Sequence, residues 1–510
     1  MKEVCRIDAD RDEAIQSGPA MYREPPEPPL RLNGVTLTCV DIATLARGAR
    51  AATVDPTARL GVAAAHASVE RAARQRPVYG RTTGVGAQRH EDVPTEDLAG
   101  HGRRLLRSHA ACVGPLEPPT TVRATLLVRL NQLLAAGSGV RPEVVDVLAQ
   151  ALARGALPEL HRWGAVGTGD LSALAELGLT LLGELPWTAA GLAPVALGTG
   201  DALALISSNA LTVATSALAC VDLHDLLHAA TVVAALSFCA LQGASEAYAA
   251  AVHTARHPGA VVIAADLRLL LGQPQLGLPS RRLQDPYGLR ALPQVAGAAL
   301  DALADLRRVV EVEANAASEN PLVRGEEVFH HGGFHTAELA LALDQSRAAL
   351  LPLAALSAAR LGDLVDPTMT GLPAFLAGGP PGSSGIMILE YVAQDALSEL
   401  RALSAPLTAG SAVLSLGFEE HASFSTQAAR AAARAVELVG LVLATELVAA
   451  VRALRSAPDR LVDAPVRTAF EFCAAQLAAG TDDRVLGPDL MSGVALLTQL
   501  AALTTLARGD

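Results

Sequence analysis

Lysine is almost missing from this sequence: among 40 basic residues the only one is Lys2. A Walker A loop needs a lysine after its glycines, so a P-loop nucleotidase is excluded. A pyridoxal-phosphate enzyme needs a core lysine for its Schiff base, so that chemistry is excluded too. Aromatics are only 3% of the chain. The apolar content is Ala, Leu, Val and Gly, which favours close-packed helices over a β-sandwich. The six cysteines, Cys5, Cys39, Cys112, Cys220, Cys239 and Cys473, form no C-x-x-C pair. They read as reduced, mostly buried thiols of a cytoplasmic protein. The first residues lack the apolar run of a signal peptide, and no G-x-S-x-G marks a serine hydrolase. A net charge of −12 argues against nucleic-acid and anionic-membrane partners.

What is present is a long apolar chain of 510 residues, 51% hydrophobic, enough for one large domain or a few fused ones. Residues 1–30 are charged and Pro-rich, a flexible leader. We expect a loop-bearing N-terminal part over 31–200, then a helical bundle with C-terminal helices over 201–510. Leu32 to Thr38, with its Asn33-Gly34 pair, suggests a short strand pair, followed by a helix capped by Asp41. Helical patterns cover 57–75, 120–136, 143–154, 170–183, 201–250, 291–317, 337–360, 385–404 and 424–454. Stretches 202–221 and 226–245 hold no Asp, Glu, Lys or Arg, but small polar groups and His228 dot them. That pattern suits the middle of a large bundle better than a membrane span.

Breaks in the helical period draw attention to particular residues. Tyr79 opens a loop with Gly80, Gly84 and Gly86. Gly167-Thr168-Gly169 precedes a helix that Asp170 could cap, and such a turn could offer backbone N–H groups to an anion. His224 and His228 sit four apart on a helix, where core or interface histidines are the reading preferred over zinc ligands. His330, His331 and His335 are read as a polar channel wall, with no metal site assigned. Tyr287 and Arg290 share one helical turn, and together a phenol and a guanidinium bind a carboxylate well.

Taken in order, these segments resemble the aromatic amino acid lyase family of histidine and phenylalanine ammonia-lyases and aminomutases. Tyr79 through Gly86 is similar to Y-G-x-N-T-G-F-G, and Ser108 through Gly114 to S-H-A-A-G-V-G. Gln284 through Arg290 resembles Q-D-P-Y-S-L-R, and Ser318 through Leu322 resembles T-D-N-P-L. Gly371 through Leu376, Ser384 through Met387 and Glu419-Glu420-His421 resemble G-L-P-A-F-L, S-G-F-M and E-D-H. The resemblance implies a mainly α fold, a long central bundle with active-site loops in its N-terminal part. It implies a homotetramer with sites shared between subunits, and elimination of ammonia from an α-amino acid. It implies no external cofactor, since the family makes its electrophile, a methylidene-imidazolone, from its own Ala-Ser-Gly. It assigns Tyr79 as general base or acid, Tyr287 as its assistant and Arg290 as the carboxylate clamp. Gln284, Glu419 and Phe334 line the site, and His109 points to a histidine-like or other polar substrate.

Two departures qualify this reading. Where the family has G-S-V-G-A-S-G-D-L, this chain has Gly164 through Leu171 with one residue fewer and no serine. Gly167, Thr168 and Gly169 are the tripeptide candidates, and dehydrated threonine would carry a methyl on the electrophilic carbon. Ser207 stands where the family places an asparagine, and Thr82 where the tyrosine loop has another. We therefore expect residues 167–169 to stay an ordinary peptide. The rival expectations are cyclisation, elimination or conjugate addition through Tyr79 without the prosthetic group, and a non-catalytic homologue that binds a ligand or partner chain.

Overall fold

The computed structural model describes residues 28–272 and 280–508. The Pro-rich leader therefore falls almost wholly outside the described residues. The helix Ala210–Leu241 is the axis of the fold. Nearly every residue along it is buried, including Ser216, Thr231 and Ser237. Its sequence allows this because small side chains alternate with leucine and valine on all faces, so neighbours approach from every direction. Around it pack Ser425–Ser456, Ala337–Val365, Leu292–Ala314, Pro119–Leu134 and Gly487–Arg508. Its stretch with Asp201–Ile206 is apolar enough to cross a membrane, but 89% of that window is buried inside the protein. One continuous apolar cluster runs from Leu32 to Leu500, through both parts of the expected division.

Three local expectations are corrected. Leu30–Leu32 pairs in parallel with Ala52–Val54, so there is no hairpin at Asn33-Gly34. Instead the Asn33 carboxamide oxygen accepts from the Val35 and Thr36 N–H groups, making a side-chain turn that leads into the crossover helix. That helix, Cys39–Ala46, is capped by Thr38, while Asp41 closes a capping box by accepting from the Thr38 N–H at 3.1 Å. The expected 201–250 helix is two helices broken at Ser207–Asn209, and it ends at Leu241, where Gln242 turns left-handed at φ 52°.

Among the described residues two ion pairs are fully buried, Arg129–Glu319 and, within the bundle, Arg360–Glu446. Arg360 binds both Glu446 oxygens at 2.6 and 2.8 Å, and Ser237 and Ser357 each donate to the same carboxylate at 2.6 Å. The remaining Arg360 nitrogen donates to the Gly288 carbonyl at 2.8 Å. Every polar atom of the carboxylate is thus met, which is the condition for tolerating buried charge. Replacing Arg360 with Met strands Glu446, and should lower unfolding free energy by about 3–5 kcal/mol in urea denaturation.

Candidate functional site

Two loops and two helix ends meet at the N-terminal end of the axial helix. Tyr79 follows a turn in which the Val78 N–H donates to the Thr82 hydroxyl at 2.8 Å. Thr82 therefore serves its own loop rather than the site. Gly80 and Gly86 take left-handed conformations, φ 64° and 58°. This folds the loop so that the Gly86 N–H donates to the Tyr79 phenol oxygen at 2.7 Å. Burial pushes the Tyr79 phenol above its ordinary value, and the Gly86 N–H opposes that by favouring the phenolate.

The tripeptide candidate lies opposite. Gly167 and Gly169 are both left-handed, φ 86° and 113°. A β-carbon on Gly167 would lie 2.2 Å from the Ser423 hydroxyl and 2.6 Å from the Ser425 backbone nitrogen. An alanine, the first residue of the family's ring-forming tripeptide, does not fit this backbone. The Gly167 carbonyl accepts from Ser423 at 2.7 Å and from Thr336 at 3.1 Å. The expected anion nest is corrected: the Gly169 N–H is taken by the Asn209 side chain at 2.9 Å and the Asp170 N–H by the Ser208 carbonyl at 2.7 Å. Asp170 does not cap its own helix, Leu171–Leu181. Its carboxylate reaches across to the axial helix and accepts from the Thr212 N–H and hydroxyl, both at 2.8 Å.

A cavity of about 870 Å³ opens between these pieces. Tyr79, His109, Thr168, Gly169, Ser207, Phe334 and Glu419 all line it, with His101, Arg104, Asn320, His331, His335, Glu420 and His421. Gly167 sits behind it, buried. Ser207 is committed inside the wall, where its hydroxyl accepts from the Asn320 N–H at 3.0 Å. The His331 ring accepts from the Gly333 N–H at 2.8 Å and donates to the Glu319 carbonyl at 2.7 Å, so it is a wall element. His335 and His421 share a 3.0 Å hydrogen bond and stack.

Gln284, Tyr287 and Arg290 are not in this cavity. They line a second one of about 450 Å³ at the start of Leu292–Ala314. There the Arg290 guanidinium lies 4.6 Å from the Tyr287 ring centre and its Nε donates to the Asp285 carbonyl at 3.0 Å. Within one chain Arg290 and the Tyr79 loop therefore line separate cavities. His224 and His228 pair with each other at 3.2 Å on the axial helix, far along it from the cavity loops. Among the described residues no group of three or more His, Cys, Asp or Glu side chains could hold a metal.

Asn209 was the residue missed in sequence. It bridges the Gly169 N–H and the Phe334 carbonyl, so an amide does hold the tripeptide. The signal was present, an asparagine two places beyond Ser207, but motif register drew attention to 207 alone.

A helical bundle with a tyrosine loop facing a tight turn at a helix end defines a lyase of the ammonia-lyase class. A family model described as aromatic amino acid lyase matches residues 37–473. The histidine ammonia-lyase of Symbiobacterium thermophilum is 37% identical over 481 residues, covering 90% of this chain and 94% of that protein. The tyrosine aminomutase of Streptomyces globisporus superposes with a TM-score of 0.88 at 28% identity, covering 94% and 98%. The ergothioneine-degrading enzyme ergothionase of Treponema denticola superposes with a TM-score of 0.86 at 25% identity, covering 93% and 99%. The chain belongs to the aromatic amino acid lyase family and is an ammonia-lyase-family enzyme. Members of this family use the autocatalytic methylidene-imidazolone, not an external cofactor.

The packing at 167 makes its own prediction. Gly167→Ala forces a β-carbon against Ser425 in a left-handed backbone, and should cost about 1–3 kcal/mol of stability by thermal denaturation. A variant as stable as the wild type would contradict the placement of this turn.

Proposed function

We propose that this chain is a carbon–nitrogen lyase acting on a histidine-like or other polar α-amino acid, with residues 167–169 left as an ordinary peptide. The observation that carries the reading is the single cavity in which the Tyr79 phenol, Thr168 and Glu419 face the same space. Relatives named histidine ammonia-lyases support the substrate class, and so does His109. The His109 Nδ1 hydrogen is given to the Leu105 carbonyl at 2.9 Å. In the neutral ring that leaves Nε2 with a lone pair for an N–H of the substrate.

The absent serine and the close packing at Gly167 support an uncyclised turn, so no step is routed through a ring. The substrate amine is already an ammonium. Tyr79, as phenolate, removes the β-proton; the carbon–carbon double bond forms, and the carbon–nitrogen bond breaks with its electron pair leaving on nitrogen. Glu419 faces the substrate ammonium, which departs as neutral ammonia. Arg290 is anchored through Nε, so its two terminal nitrogens can fork a carboxylate. Because that clamp sits in another cavity of the same chain, the reading places it against a neighbouring subunit's Tyr79 loop in a homotetramer. The five described cysteines are free thiols, which suits a cytoplasmic location.

Tyr79→Phe should lower kcat by roughly 10²–10⁴-fold, measured by formation of the unsaturated acid. Thr168→Ala should stay within the same order of magnitude, because no dehydration of Thr168 is required. A folded Thr168→Ala protein without activity would overturn the uncyclised reading. The pH dependence has a definite sign. Burial raises the Tyr79 pKa, so its base form is lost as pH falls below a value already above the ordinary ~10 of a phenol. The kcat/KM should therefore climb with pH through neutrality into the alkaline range, and an acid optimum would remove Tyr79 as the base.

A further inference from the structure

The backbone around Tyr79 is largely closed on itself. Of the five consecutive N–H groups from Val78 to Thr82, four are paired within the loop. Val78 donates to the Thr82 hydroxyl at 2.8 Å and Gly80 to the Thr83 hydroxyl at 3.4 Å. Arg81 and Thr82 both donate to the Val78 carbonyl, at 3.0 and 2.9 Å. The fifth, that of Tyr79 itself, leaves the loop and donates to the His330 Nε2 at 3.3 Å.

His330 directly follows a hairpin, Leu322–Arg324 paired with Glu327–Phe329. That hairpin packs behind the loop. Val78, fully buried, joins Val69, Val323 and Val328 in a small apolar cluster apart from the main core. Arg76 adds a bond from its guanidinium to the Val328 carbonyl. Unlike His331 and His335, His330 does not line the cavity, which corrects its reading as channel wall. Its ring instead meets the Tyr79 ring edge-on, with centroids 6.4 Å apart and planes at 77°. Only a neutral imidazole can accept the Tyr79 N–H, because an imidazolium carries protons on both nitrogens. Burial first, then the charges of Arg76 and His331, hold the ring below its ordinary pKa, which keeps it neutral.

We infer that His330 is a positioning residue for the proton-transferring tyrosine, holding the Tyr79 backbone while the Gly86 N–H holds its phenol oxygen. The side chain is thus tethered at both ends, once from outside the loop and once from within it. Without the His330 acceptor the Tyr79 backbone gains freedom, and the phenol spends less time in line with the β-proton. That is a cost in rate and not in substrate binding. The inference rests on the reading of Tyr79 as the base.

The test reads the loop directly. Amide hydrogen exchange on the full chain, followed by mass spectrometry, should show the segment from Tyr79 to Gly86 exchanging about tenfold faster in His330→Leu, the loss of one hydrogen bond. Exchange along the axial helix Ala210–Leu241 should not change. His330→Gln, which puts an amide oxygen near the place of Nε2, should restore the protection. With L-histidine as substrate, kcat should fall about tenfold in His330→Leu and recover in His330→Gln. KM should stay within about twofold. Unchanged loop exchange in His330→Leu, a glutamine variant no better than leucine, full kcat in His330→Leu, or faster exchange in the axial helix as well would each overturn the inference. The lyase reading fails separately: turnover that survives Tyr79→Phe, or a wild type without turnover, removes it. Loop exchange then decides alone whether His330 ties the loop.

Discussion

Asp170 ties the Gly167–Gly169 turn to the scaffold. Its carboxylate is wholly buried and accepts from the Thr212 N–H and hydroxyl at the first turn of the axial helix. Burial alone drives its pKa up, and the Thr212 bonds oppose that. A helix N-terminus is the natural place for such a charge, because its N–H groups lack intrahelical partners. The neighbouring Gly169 N–H is held by Asn209 and the Gly167 carbonyl by Ser423 and Thr336. Three segments distant in sequence, carrying Asn209 and Thr212, Thr336, and Ser423, thus fix Gly167, Gly169 and Asp170. This is the preorganisation a site needs if it is to act through position rather than through mobility.

The same constraint bears on the shortened tripeptide. A turn one residue shorter could have left a gap or a slack loop. Instead Gly167 packs directly on Ser423 and Ser425, where no β-carbon has room. Cys112, where the family pattern has glycine, reaches the same loop: a β-carbon on Gly164 would lie 2.7 Å from its sulfur. The turn is a tightly packed structural element in its own right, and this supports the proposal that Tyr79 works across from an intact peptide.

Much of this was legible in sequence, for physical reasons. Long helices announced themselves through leucine and alanine periodicity, and the stretches 202–221 and 226–245 through their lack of Asp, Glu, Lys and Arg. The tyrosine loop, Thr168, Ser207, Phe334 and Glu419 were legible because short motifs keep their spacing. What failed was contact between segments. Asp170 looked like a cap for the helix that follows it, since sequence shows only neighbours, yet its partner is Thr212. Asn209 was passed over because nothing local says that its amide spans Gly169 and Phe334. The separation of Arg290 and Tyr287 from Tyr79 was equally invisible, for motif order carries no distance.

The central claim is that Gly167-Thr168-Gly169 remains an uncyclised peptide in an active lyase. Cyclisation and dehydration together would remove two waters, about 36 Da by covalent arithmetic. Intact-mass spectrometry of the purified, catalytically active protein decides the matter. The account predicts the full mass of the amino-acid sequence; a mass short by two waters, with the loss mapped to residues 167–169, would contradict it.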